Sequence, residues 1–339
     1  MKLTCLILLL FYQFTSKAQV DFNVLLDSVI NRTKQTSMYS SQINWDSLSK
    51  EVHLKATNVQ SIQDLKPAFT ILLNGLGDMH ARIINAQDYS TIAYFTDYDK
   101  LNHPDKRARE DEIWKIVNDT SLKFESRLIA DRIGYLRIVG IPPNVDIAKE
   151  AEKIRNALIK LTNLKVEKWI IDLRYNGGGN MHPMVSGIAP LIGEGLVGSL
   201  SDLNGKKQFD WEIKNGNFIY YGYQALNLSY EPKFSNIPQV AVLTSKWTVS
   251  SGELLATCFK GRPNTRFFGE MTGSLTTNNN WEIVQDQVIV NISTGIYCDR
   301  NGIIYKYNIP VDVEIPFKVY DSLEQDDCVQ KAINWLNGN

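Results

Sequence analysis

After about residue 126 the chain alternates short β-branched runs with longer amphipathic segments, and no other feature of its 339 residues constrains the fold as much. Runs at 133–139, 168–173, 239–244, 266–268, 288–293 and 303–307 predict strands. Between the first two, Ile147, Ala151, Ile154, Leu158 and Leu161 recur on one helical face, while Lys149, Glu150, Lys153 and Arg155 fall opposite. A strand, a covering helix and a second strand imply an α/β core. Val329, Ile333 and Leu336 give a terminal helix over 321–337 its inner side. Upstream, helical spacing over 22–35, 45–57 and 61–76 predicts a small bundle, with helix starts at Asn44-Trp45-Asp46 and at Ser61 to Asp64, the latter in capping-box form. The expected division is a helical bundle over 19–82, a connecting segment over 83–125 and an α/β domain of catalytic size over 126–339. The charged stretch 106–112 reads as a solvated helix face.

The first residues do not belong to this body. Lys2 precedes an apolar run from Leu3 to Phe14, too short to cross a bilayer, and Ser16-Lys17-Ala18 has the small-x-small form of a cleavage site. Residues 1–18 are therefore expected to be a cleaved export signal. The product is then periplasmic or secreted, with no stable membrane insertion and no lipid on Cys5. Against 37 acidic residues stand 36 Lys and Arg, so no global charge draws the chain to nucleic acid. Cys258, Cys298 and Cys328 survive cleavage. A Cys298–Cys328 bridge is conceivable, but three thiols in a chain of this size read more simply as buried and free. His53, His80, His103 and His182 lack both the H-E-x-x-H spacing and any C-x-x-C partner, so neither metal nor cofactor is expected. Nothing in the sequence specifies an oligomeric state.

Three stretches carry possible chemistry. Residues 239–259 read as strand, tight loop, helix, placing Ser250 and Ser251 at a helix N-terminus. Free N–H groups and the positive end of the helix dipole there suit an oxyanion and an activated hydroxyl, although serine is also an ordinary cap. In the second, Trp169 to Gly179, a strand runs into three glycines whose N–H groups can converge on an anionic oxygen. It lacks both phosphate-loop spacings, and a plain glycine turn is the simpler alternative. The third, Leu76 to His80, offers an imidazole that can act as a general base if it reaches a serine. Asp172 and Arg174 read as structural supports of the glycine turn. Trp211, Tyr220, Tyr221 and Trp247 suit either an apolar cleft or ordinary core.

Taken together, the stretches resemble the tail-specific or C-terminal-processing serine proteases, in the branch with the tricorn core and the interphotoreceptor retinoid-binding protein modules. L-G-D-x-H at 76–80, I-G-Y-L-R-I at 133–138, D-L-R-x-N-G-G-G at 172–179, T-x-S-S-G-E at 248–253, G-E-x-T-G at 269–273 and I-P-x-D-V at 309–313 occur in that family's order. The resemblance implies a crotonase-like (ClpP-type) α/β domain behind a helical bundle, a serine peptidase mechanism and a peptide or protein substrate. It puts the nucleophile on Ser250, the oxyanion-hole amides on Gly178 and Ser251, and the base on His80. Gly177, Glu270 and Thr272 fall where substrate would lie, at the rim of the site, although satisfying loop backbone groups is at least as good a reading of Glu270 and Thr272. The pattern departs from the family at three places. Leu275 stands where the tail-specific branch has its lysine base. Met79 and Tyr305 stand where the tricorn tetrad has a serine and a glutamate. The interval 83–125 is too short for a PDZ domain, so capture of a substrate tail by strand addition is not implied. A binding protein on the same fold that has lost catalysis is the rival reading, resting on the missing lysine and incomplete tetrad; the retained Ser250, glycines and His80 favour the peptidase. An α/β-hydrolase esterase is disfavoured because no serine sits in a G-x-S-x-G elbow.

Overall fold

Every second residue of the central strands faces a different core. In the computed structural model, which describes residues 21–97 and 122–338, strands β4 (Ile133–Arg137), β5 (Lys168–Asp172), β10 (Gln239–Thr244), β11 (Thr265–Gly269) and β14 (Val313–Glu314) run parallel. With β3 (Glu125–Ile129) antiparallel on β4, they form a six-stranded sheet ordered β14-β11-β10-β5-β4-β3. Trp169, Ile171, Val240 and Val242 pack on one face against helices α4 (Ile147–Asn163), α5 (Met181–Ile192) and α6 (Ser251–Phe259). Ile170, Ala241 and Leu243 face the other way, onto α7 (Asp327–Leu336). Burial on both faces explains why these strands read as unbroken apolar runs.

A second, antiparallel sheet of eight strands carries the rest. Its path is β2 (Thr91–Tyr94), β1 (Arg82–Asn85), β13 (Val288–Asp299), β6 (Gly195–Ser201), β7 (Lys207–Lys214), β8 (Asn217–Tyr220) and β9 (Tyr223–Gln224), with β12 (Thr277–Val284) also on β13. Helices α1 (Phe22–Thr36), α2 (Trp45–Lys55) and α3 (Lys66–Leu76) bury Leu25, Val29, Val52 and Leu72 in one cluster with Ile83, Val288, Val290 and Ile292 of this sheet. Asn44 caps α2 through Ser47 N–H, and Asp64 accepts from Ser61 N–H at 2.8 Å, as the sequence predicts.

Several expectations change. Strands β1 and β2 lie in the interval taken as a connector, and they belong to the sheet that completes the core of the three helices. Residues 303–307 form no strand: the Asp299 carboxylate turns the chain by accepting from Asn301 and Ile303 N–H, leaving one bridge from Ile304 to Cys298. The last helix starts at Asp327, because Asp326 caps it through the N–H groups of Cys328 and Val329. Cys258, Cys298 and Cys328 are free and buried, so the conceivable bridge does not form. The export signal, Cys5, His103 and the charged stretch 106–112 lie outside the described residues.

Candidate active site

Strand β10 ends at Thr244 and α6 begins at Ser251, so six residues must turn the chain from sheet to helix. Buried hydroxyls hang this loop on the neighbouring turn after β5: Ser245 Oγ donates to Arg174 O at 2.6 Å and Thr248 Oγ1 to Leu173 O at 2.8 Å. Val249 N–H adds a bond to Asn176 O. The loop closes on Ser250 at φ 55°, ψ −122°, a conformation that costs a non-glycine residue about 1–3 kcal/mol. The buried Glu253, three residues on, compensates by accepting from Ser250 N–H at 2.9 Å.

The glycine turn lies directly against this serine. A Cβ on Gly178, whose φ is +93°, would stand 2.8 Å from Ser250 Cβ, and one on Gly179 would stand 2.0 Å from Ile141 O. Only glycine allows these approaches. Ser251 Oγ donates to Gly179 O at 2.6 Å, clamping the first turn of α6 to the turn. Gly177 is exposed at its tip. The Gly178 N–H donates to Asn176 Oδ1 at 3.0 Å, so as an oxyanion donor it must share or exchange that bond. Asn176 itself was not singled out by the sequence; it is fully buried, and its amide also donates to Ile138 O.

Behind the turn, Arg174 pairs with both Asp172 and Asp326 at 2.7 Å, and Tyr135 Oη donates to Asp172 Oδ2. Burial by itself would raise the Asp172 carboxyl, but the guanidinium and these hydrogen bonds outweigh it and hold the carboxyl below its ordinary range. The pair is structural, as its place in the sequence suggests. Trp211 is core, and Trp247 is buried as well, whereas Tyr221 is exposed.

Both Glu253 oxygens are occupied. Oε2 also accepts from Leu275 N–H at 2.8 Å, and Oε1 accepts from Thr272 Oγ1 at 2.6 Å and Ser274 N–H at 3.1 Å. Thr272 is therefore fully buried and not on the rim, where substrate would reach it; its Oγ1 also takes Ile309 N–H. Glu270 accepts from Phe317 N–H at 3.0 Å, which ties down the chain after β11. Leu275 is buried, and the Tyr305 hydroxyl donates to Asp299.

His80 follows α3, whose end is set by Gly77 in the left-handed conformation. Its Nδ1 lies 2.8 Å from the Oγ1 of Thr277, two residues beyond Leu275, and its carbonyl accepts from Asn279 Nδ2. Glu253 thus holds Ser250 and the segment that meets the histidine. Asp78 is fully buried, and burial pushes its carboxyl up although it accepts from Ser293 and His80. Asp78, Thr277 and Ser293 were not read from the sequence as parts of a site; the aspartate alone left a trace there, inside L-G-D-x-H. Among the described residues no group of side chains is arranged to hold a metal, and no helix is long and apolar enough to cross a membrane.

The family model Peptidase family S41 matches residues 132–315, more than half of the chain and all of the glycine turn, the serine loop and the Glu253-held segment. The nisin-resistance protein of Lactococcus lactis subsp. lactis is 33% identical over 167 residues, 49% of each chain, so the chain aligns with about half the length of that curated relative. Among solved structures, a lipoprotein from Streptococcus agalactiae superposes with a TM-score of 0.71 at 23% identity, over 94% of this chain and 97% of that one. The photosystem II D1 C-terminal processing protease gives 0.57 at 14% identity, over 88% and 94%. Both share the fold.

Proposed function

Because the chain belongs to peptidase family S41, we propose that it is an exported serine peptidase, with Ser250 as nucleophile and His80 as general base on a crotonase-like core. The observation that carries this reading is Ser250 itself. It sits at the head of a helix in a costly backbone conformation, against a glycine that no other residue can replace. Strain of this kind persists where the surrounding structure enforces it, here at a strand-to-helix turn whose serine also closes a capping box with Glu253.

In the proposed reaction His80 Nε2 takes the Ser250 proton as Oγ attacks a peptide carbonyl. The tetrahedral oxyanion is held by Ser251 N–H, at the positive end of α6, together with Gly178 N–H, released in part from Asn176. The imidazolium returns the proton to the leaving amine, and water then hydrolyses the acyl-enzyme with His80 again as base. Gly177 and Glu270 are left as candidates to touch substrate. Export rests on the pattern of residues 1–18.

The test uses the mature chain beside Ser250→Ala and His80→Ala, with a fluorophosphonate probe and a mixed peptide library read by mass spectrometry. Labelling and cleavage by the wild type, lost in Ser250→Ala and strongly reduced in His80→Ala, are expected. A folded wild type that neither labels nor cleaves overturns the reading in favour of the binding protein.

A further inference from the structure

Met79 and Tyr305 deprive this chain of the serine and glutamate expected to orient the histidine, yet His80 is not left to chance. Its Nδ1 lies 2.8 Å from Thr277 Oγ1. Thr277 Oγ1 lies 2.9 Å from Ser293 Oγ, and Ser293 Oγ lies 2.8 Å from Asp78 Oδ1. All three partners are buried, Asp78 and Ser293 almost completely. We infer that Asp78, Ser293 and Thr277 form a hydroxyl relay that sets the tautomer and orientation of His80, in place of a carboxylate bonded directly to the ring. The inference rests on the peptidase reading only for its catalytic consequence.

The direction of the relay follows from the fixed donors around Asp78. His80 N–H reaches Oδ1 at 3.0 Å and Ser293 N–H reaches Oδ2 at 2.8 Å, so both oxygens already accept from groups that can only donate. Burial works against ionisation of Asp78, but because N–H groups that can only donate already face both oxygens, the relay takes it as the carboxylate, and the Ser293 hydroxyl then donates to it. The other acceptor near that hydroxyl, Asn279 Oδ1, is neutral and farther, at 3.3 Å, so the charged oxygen prevails. With its proton committed to Asp78, Ser293 Oγ accepts from Thr277. Thr277 Oγ1, its own proton committed in turn, accepts from His80 Nδ1. The proton thus resides on Nδ1, and the lone pair is left on Nε2, the nitrogen a general base needs. No proton travels along the relay during turnover; it positions the ring and stabilises the imidazolium through aligned dipoles.

The relay also explains why Asp78 is bonded to both the backbone and the side chain of Ser293. Strand β13 and the end of α3 are locked at one carboxylate, and the histidine two residues on inherits that alignment.

The experiment compares wild type, Thr277→Val, which keeps shape and removes the hydroxyl, and Thr277→Ser, which restores it. Neutral His80 is observed by 15N imidazole NMR, assigned against His80→Gln, alongside kcat and KM for a peptide substrate. Expected are a wild-type ring protonated on Nδ1, a shift toward the Nε2-protonated form in Thr277→Val with kcat at least about tenfold lower and KM little changed, and recovery of both in Thr277→Ser. An unchanged tautomer in Thr277→Val overturns the relay, as does a wild-type ring protonated on Nε2 or a loss that serine does not restore. If Thr277→Val shows the tautomer shift but the wild type cleaves nothing, the relay stands and the peptidase reading falls. If Ser250→Ala abolishes cleavage while Thr277→Val leaves the tautomer as it was, the reverse holds.

Discussion

Glu253 holds the backbone N–H of Ser250 at 2.9 Å with the same oxygen that takes Leu275 N–H at 2.8 Å. One buried carboxylate therefore fixes both the strained residue and the segment that runs on to the partner of His80. A glutamine keeps one oxygen, so its N–H₂ faces either the Ser250 and Leu275 N–H groups or the Ser274 N–H.

Glu253→Gln is accordingly expected to lose about 1–3 kcal/mol for each backbone donor left without an acceptor. Displacement of Ser250 should lower kcat by about 100-fold. Thermal unfolding and single-turnover cleavage measure the two effects. A variant as stable and as fast as wild type would show that the carboxylate holds neither segment.

Gly178→Ala sets a methyl group 2.8 Å from Ser250 Cβ on a backbone with φ of +93°. Strain of about 1–3 kcal/mol and loss of fluorophosphonate labelling are expected. Full labelling would mean that the glycine turn does not lie against the working hydroxyl.

Asn176→Ala removes the acceptor of Gly178 N–H and the donor to Ile138 O, both buried. Destabilisation of about 1–3 kcal/mol per orphaned group follows, read by urea unfolding. Cleavage should fall as well, because the released turn no longer presents its amides in one direction. Unchanged stability would mean that water replaces the side chain at no cost.

Stability should also depend on pH through Asp172. Its folded-state carboxyl is held below the unfolded value of about 3.9, so the contribution of the Arg174 pair is complete above that pH and fades as the pH falls through the folded value. Asp172→Asn, which leaves Arg174 with one carboxylate, is expected to cost about 3–5 kcal/mol at neutral pH. The gap to wild type should narrow only below about pH 4. A gap that stays constant down to pH 2 would show that the aspartate charge is not what holds the arginine.

Local signals carried the sequence reading where the determinants were local. Strand β10 was predicted with its observed bounds, and the Asn44 and Ser61 starts and the helix from Ile147 follow from caps and periodicity within a few residues. Ser250 and the glycine triplet were legible for the same reason, since a strand-to-helix turn and three glycines announce themselves. Thr277 and Ser293 did not, because each is an ordinary strand residue until it meets a partner 197 or 215 positions away. Asn176 was hidden similarly, as turn asparagines are common and only burial separates this one from the rest. Thr272, set on the rim by the resemblance, is buried because its hydroxyl donates to Glu253 and accepts from Ile309 N–H, the loop-satisfying role the sequence equally allowed. Sheet membership of β1 and β2 was invisible because these strands of four residues join the sheet only through the pairing of β1 with β13, far along the chain.

The two residues of the proposed dyad stand on different foundations. Ser250 is carried by β10 and α6, whose Leu254 and Leu255 sit in the core under the parallel sheet. His80 is carried by α3 and β1, whose Leu76 and Ile83 sit in the core beneath the helices. The proposed pair thus draws its members from two hydrophobic clusters, and a working dyad would report their alignment. Loosening of the helices on their sheet would disarm the proposed dyad while Ser250 stayed folded. Heat or denaturant should therefore silence any turnover before it melts the parallel sheet, and a ligand that grips both clusters would act as a splint between them.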